Sequence, residues 1–153
     1  MATAVLVSHL MAVTWIDARK MIIPNALNLS LAVCGFGVAL LVLHLSWLTV
    51  LIQCVAAYAG FSLIAWAYVQ LRGRAGFGEG DIKLFAAATA WVGLVAMPWL
   101  ILIASISGLI FVLATQIVRG GVVFNQRLAF GPHLSLGLFV TWLSRDTLMA
   151  IGT

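Results

Sequence analysis

WLTVLIQCVAAYAGFSLIAWAYVQ, residues 47–70, carries no charged side chain from Trp47 to Gln70. A helix rises about 1.5 Å per residue, so this run covers the ~30 Å apolar core of a bilayer. Barrel strands would instead show segments of about ten alternating residues. Reading outward from this run gives five further apolar segments. The spans fall at 2–23, 26–45, 47–70, 82–97, 98–118 and 132–150. The expected fold is an all-α polytopic membrane protein, six transmembrane helices in one bundle, with residues 1–153 forming a single domain. Met21-Ile22-Ile23 are expected to continue the first helix as far as Pro24, because the residue before a proline is pushed out of the α region. The fourth span is short and stops at Pro98.

Composition agrees with this reading. The 153 residues are 64% apolar and only 8% charged, with a mean hydropathy of +1.17. A soluble domain carries about 25% charged residues, so this chain lacks the polar surface to cover a globule in water. Seven of the eight Lys and Arg fall in three loops that share one side by parity: Arg19 and Lys20, then Arg72, Arg74 and Lys83, then Arg119 and Arg127. The positive-inside rule makes that side cytoplasmic. The basic balance is thereby explained without nucleic acid, since the charges are thinly spread. The N-terminus lacks the positive region that precedes a signal peptide's apolar stretch. Cys34 and Cys54 lie inside apolar spans and form neither a disulfide framework nor a metal-ligand pattern.

There are four acidic residues, Asp17, Glu79, Asp81 and Asp146. Ionisable groups near apolar spans are expensive, and their presence is a functional hypothesis in itself. Asp17 lies at the end of the first apolar run. Asp81 closes Gly76-Phe77-Gly78-Glu79-Gly80-Asp81 at the start of the fourth. Two crossings separate these points, so parity puts both at the same face. A glycine-rich turn beside a carboxylate suits the entry of an extended peptide. The same residues also fit a plain turn, with Asp81 as N-cap of a helix beginning at Ile82. Asp17 also fits a simple charge partner for Arg19 or Lys20.

The chain resembles the type IV prepilin peptidases, a family of GxGD membrane aspartyl proteases. Gly78-Glu79-Gly80-Asp81 fits the GxGD motif, extended by Ile82-Lys83-Leu84. Asp17-Ala18-Arg19 followed by Ile23-Pro24-Asn25 fits the pattern around the first aspartate. Phe130-Gly131-Pro132, with Leu134 and Gly137, resembles the motif at the last span. The three motifs occur in order across essentially the whole chain. The resemblance implies Asp17 and Asp81 as catalytic residues. It also implies a basic leader peptide of a prepilin or pseudopilin as substrate, cut after a glycine at the cytoplasmic face of the inner membrane. The N-terminal region with paired cysteine motifs, associated in the family with methylation, has no counterpart here. A short form, or a fragment of a longer chain, that cleaves without methyl transfer is therefore expected.

The chemistry implied is general acid–base hydrolysis. One carboxylate takes a proton from water while the other carboxyl polarises the scissile carbonyl, and two close carboxyls split their titrations. The dipole of a helix start favours Asp81 as the ionised member. No metal or other cofactor is required, and the partners implied are the prepilin and membrane lipid. Lys83 is placed to hold the loop or to meet anionic headgroups, and Glu79 reads as a solvated residue. Asn25 is expected to cap the second helix, and Gly131-Pro132 to open the sixth. His133 reads as structural. Two other classes fit the same residues: a small transporter or proton relay using Asp17 and Asp81, and a non-catalytic pilus or secretion assembly subunit.

Overall fold

The structure, a computed structural model, describes residues 1–73, 76, 78–119 and 128–145. Among these residues the chain is all-helical. The six helices are α1 (Ala2–Lys20), α2 (Asn25–Leu41), α3 (Trp47–Arg72), α4 (Glu79–Val92), α5 (Met97–Arg119) and α6 (Gly131–Leu143). The last stretch of the expected span 132–150 lies outside the described residues, as do Arg74, Phe77, Arg127 and Asp146.

Local sequence sets the boundaries. Ser46 caps α3, its hydroxyl oxygen accepting the Thr49 N–H at 3.4 Å. Gly73 ends that helix at φ 64°, the left-handed conformation glycine takes at little cost. Gly131 and Pro132 open α6, where proline's missing N–H is no loss. Helices α2 and α4 end earlier than expected, at Leu41 and at Val92 before Gly93 (φ 77°), and three boundaries near the site also differ from the sequence reading. Helix α1 stops at Lys20 because Met21 turns left-handed (φ 52°, ψ 36°) and Met21–Ile23 then leave the helix. Helix α4 begins at Glu79, with Gly78 as its cap, so Asp81 lies within the first turn rather than capping it. Pro24 holds the cap position of α2, and Asn25 is its first residue with its side chain turned elsewhere.

Helix α4 is the centre of the bundle. Nine of its residues, from Ile82 to Val92, are buried. It packs on α2, α3 and α6, while α1 packs on α2 and α6, and α5 on α6. The apolar core runs through Leu6, Leu31, Leu84, Trp91, Leu100, Leu134 and Leu138. Helix α3 buries only Val50 and Ala57, and leaves Leu63, Ile64 and Trp66 exposed. Two helices, Trp47–Arg72 and Met97–Val118, are long and apolar enough to cross a membrane, with mean hydropathies of 1.9 and 2.4. Exposed apolar surface on this scale calls for lipid or protein around it rather than water.

Close approaches fix the seams. The Trp91 indole N–H donates to the Leu31 carbonyl at 2.9 Å, and its ring meets Trp142 edge-on at 5.4 Å. A Cβ on Gly35 would stand 2.6 Å from that indole. Gly35→Ala is therefore expected to destabilise the bundle by about 1–3 kcal/mol through overpacking. Gly37→Ala, one residue pair along and facing open space, is expected to be neutral or mildly stabilising. Melting curves of the two variants in detergent test this contrast.

Candidate active site

The first helix ends, and the second, fourth and sixth begin, at one face of the bundle. There Asp17, the 21–25 link and the first turn of α4 line an open cleft of about 400 Å³. Both aspartates reach it. The helices that carry them, α1 and α4, are bridged by α2 and α6, and the cleft lies between their ends.

Asp17 is 5% exposed. Its Oδ2 accepts the Gly131 backbone N–H at 2.7 Å, a bond between residues at opposite ends of the chain. Helices α1 and α6 run antiparallel, and the Trp142 indole N–H donates to the Thr3 hydroxyl at the far end of the same seam. Gly131 has no room for a side chain, since a Cβ there would sit 2.7 Å from Asp17 Oδ2. Arg19 places its guanidinium 3.7 Å over the Trp15 ring rather than on Asp17, and does not line the cleft.

Asp81 is held from the α2 side. The Asn28 amide nitrogen donates to the Gly80 carbonyl at 3.0 Å, fixing the peptide that leads into Asp81. Gly80 packs on the Ile23 backbone, with 3.1 Å from a would-be Cβ to the Ile23 side chain. The Lys83 ammonium donates to Asn25 Oδ1 at 3.0 Å and pairs with Glu79 at 3.2 Å. Lys83 therefore ties the first turn of α4 to that of α2. Glu79 is 81% exposed at the cleft rim.

Charge at Asp81 runs against the helix-dipole expectation. Burial, and then the charge of Asp17, raise its pKa from 3.8 to about 6. A hydrogen bond with the Gly78 backbone pulls the other way and is the weaker influence. Removal from water thus outweighs the favourable field of the helix start at Asp81.

The remaining sequence candidates divide. Gly78, Glu79, Gly80, Lys83, Pro24 and Asn25 line the cleft. Gly131 reaches Asp17 through its N–H. Pro132 lies outside, in a shallow hollow between α1 and α6. His133 turns onto α5, its Nδ1 3.1 Å from the Ser107 hydroxyl, with Phe111 and Phe130 beside the ring. Sequence reasoning missed Asn28. An asparagine inside the apolar run 26–45 was the available signal, because a buried amide needs partners, and the structure leaves it only 4% exposed.

Fold and site together define an all-helical protein with an apolar exterior and a carboxyl pair in one open cleft. The chain belongs to the type IV leader peptidase family, whose family model matches residues 4–113. It is 35% identical over 133 residues to a prepilin leader peptidase/N-methyltransferase of Pectobacterium carotovorum subsp. carotovorum, covering 87% of this chain and 47% of that protein. A protein of the same name from Neisseria gonorrhoeae is 30% identical over 94% of this chain and 48% of its own length. One from Dickeya chrysanthemi is 38% identical over 82% and 44%. The chain spans about half the length of these curated relatives. No solved structure matches it.

Proposed function

We propose that this chain is a membrane aspartyl endopeptidase that removes the basic leader of prepilins or pseudopilins. Its six helices cross the inner membrane, and the cleft opens to the cytoplasm, where the basic loops lie. The observation that carries this reading is the meeting of Asp17 and Asp81 in one cleft, close enough for the charge of one to raise the other. The cleft is open and stands at a helix end, where a leader peptide remains when its apolar helix is in the bilayer.

The work divides by environment. Asp17 acts as the carboxylate, supported by the charge-assisted bond from the Gly131 N–H. It takes a proton from water, whose oxygen attacks the scissile carbonyl carbon. Asp81 donates its proton toward the carbonyl oxygen, giving a neutral tetrahedral diol. Collapse of the diol returns a proton to Asp81 and breaks the C–N bond as the amine nitrogen is protonated from Asp17. The substrate lies extended across the cleft, because a helical peptide bond is shielded and already hydrogen-bonded. The Gly78-Glu79-Gly80 turn leaves backbone open beside Asp81 for that approach.

The test is incubation of the purified chain with a prepilin in detergent, with product masses read across a pH series. Cleavage after the leader glycine is the expected result. Because Asp81 must hold its proton, kcat/KM is expected to fall above about pH 6. A folded chain that cuts none of several prepilins would overturn the reading. A rate that rises steadily from pH 6 to 8 would reverse the roles of the two acids.

A further inference from the structure

Helices α2 and α3 diverge along the flank of α4 and leave a groove of about 420 Å³. Ala86 and Ala87 of α4 form its floor, Ala32 lies on the α2 wall, and Cys54 and Tyr58 on the α3 wall. The groove begins where the catalytic cleft ends, since Asn25 and Lys83 line both. Small side chains along a groove let a helix approach closely without lipid between. Among the polar side chains of the groove lining, Asn28 is the fully buried one. Its Oδ1 is buried and has no hydrogen-bond partner, while its Nδ2 holds Gly80. A lipid acyl chain carries no donor for that oxygen, whereas a Ser or Thr hydroxyl on a docked helix does.

We propose that this groove docks the apolar helix that follows the scissile bond of the substrate, so that the cleft reads the leader and the groove reads the segment behind it. The inference rests on the endopeptidase reading above. The continuity at Asn25 and Lys83 makes one path of the two sites: a chain leaving the cleft beside Asp81 passes these residues and enters the groove. The apolar floor matches an apolar helix, and the half-buried Cys54 lies along its course.

Cys54 supplies the first test. In a Cys34→Ser background, prepilins with single cysteines at successive positions of the apolar segment are treated with a short bismaleimide. Cross-links to Cys54 are expected at a spacing of three to four residues, the period of one helix face. Cross-linking does not need turnover, so it reports docking even where cleavage fails. Ala32→Phe and Ala86→Phe, both at partly buried positions, supply the second. The ratio of kcat/KM for whole prepilin to that for a short peptide spanning only the cleavage site is expected to drop at least tenfold, through KM of the prepilin. Absence of a periodic cross-link together with an unchanged ratio would overturn the proposal. So would Phe variants that only displace co-purified lipid. Loss of the endopeptidase reading has a different signature: neither prepilin nor short peptide is cut by the unsubstituted chain.

Discussion

Asp81→Asn is expected to abolish the proposed cleavage and, at neutral pH, to make the protein harder to melt. The first effect is expected to be about 10³-fold or more in kcat, since an amide cannot cycle the proton that the carbonyl and the diol require. The second follows from linkage. Asp81 is raised from 3.8 to about 6 in the folded chain, chiefly by burial. Below pH 3.8 the group is protonated in folded and unfolded chains alike and costs nothing. Between pH 3.8 and 6 the folded chain binds the extra proton, and stability falls as pH rises. Above pH 6 the full cost of the ionised group is present. Asn carries no charge at any pH, so the variant escapes that cost. After discounting for solvent around a partly exposed group, the gain is about 1–2 kcal/mol, worth ~2–4 °C per kcal/mol at this size. The two proteins should melt alike near pH 3 and separate as the pH passes 6, read by a dye-based or calorimetric melt. Equal melting temperatures at pH 7.5, or a less stable variant, would show that Asp81 is not held against its preference. Asp17→Asn is expected to match the loss of activity. It should also shift the titration of Asp81 downward, read from the pH dependence of melting, because the neighbouring charge is gone.

Much of this arrangement was legible from residue order alone. Uninterrupted apolar runs gave the six helices, and Gly131-Pro132 marked the start of the last. Parity put the end of α1 and the start of α4 at one face, because side follows from counting crossings. What was not legible depends on contacts between distant positions. The glycines of Gly78-Glu79-Gly80 read as loop, yet the helix starts at Glu79, because packing of Gly80 on Ile23 and the Asn28 bond stabilise a turn that propensity disfavours. The early stop of α1 rests on a left-handed Met21, a conformation that side-chain type does not announce. Arg19 could be assigned to Asp17 by proximity in sequence, but Trp15 offers its guanidinium an aromatic face at 3.7 Å. The dipole argument for Asp81 was sound in sign. Its weight against burial could be judged only once the neighbouring helices were in place.

Gly131→Ala is expected to lower cleavage by about 10²-fold or more while leaving a folded protein, the loss falling in kcat. The residue contributes no side chain and touches the proposed base only through its N–H, so its role is positional. Its N–H donates to Asp17 Oδ2 at 2.7 Å, and a new Cβ would meet Asp17 Oδ2 at 2.7 Å and its Cβ and Cγ at 2.9 Å. Real carbons do not approach so closely, so Asp17 must rotate away or α6 must withdraw from α1. Either movement breaks the hydrogen bond that holds the carboxylate against the cleft. Withdrawal of α6 is opposed by the packing of Gly137 on the Leu100 carbonyl, where a Cβ would come within 2.6 Å, and by the Trp142–Thr3 bond at the other end of the seam. Rotation of Asp17 is thus the cheaper response, and in the proposed mechanism it displaces the base from the water it deprotonates. A displacement of about 1 Å at a reacting group is enough for a hundredfold loss. The readout that separates this from general damage is the pair of kcat and melting temperature. Here kcat falls by orders of magnitude, and the melting temperature by only a few degrees. If Gly131→Ala retained activity within about threefold, the bond from Gly131 would be a structural seam between α1 and α6, and the orientation of Asp17 would have to be set from within α1 itself.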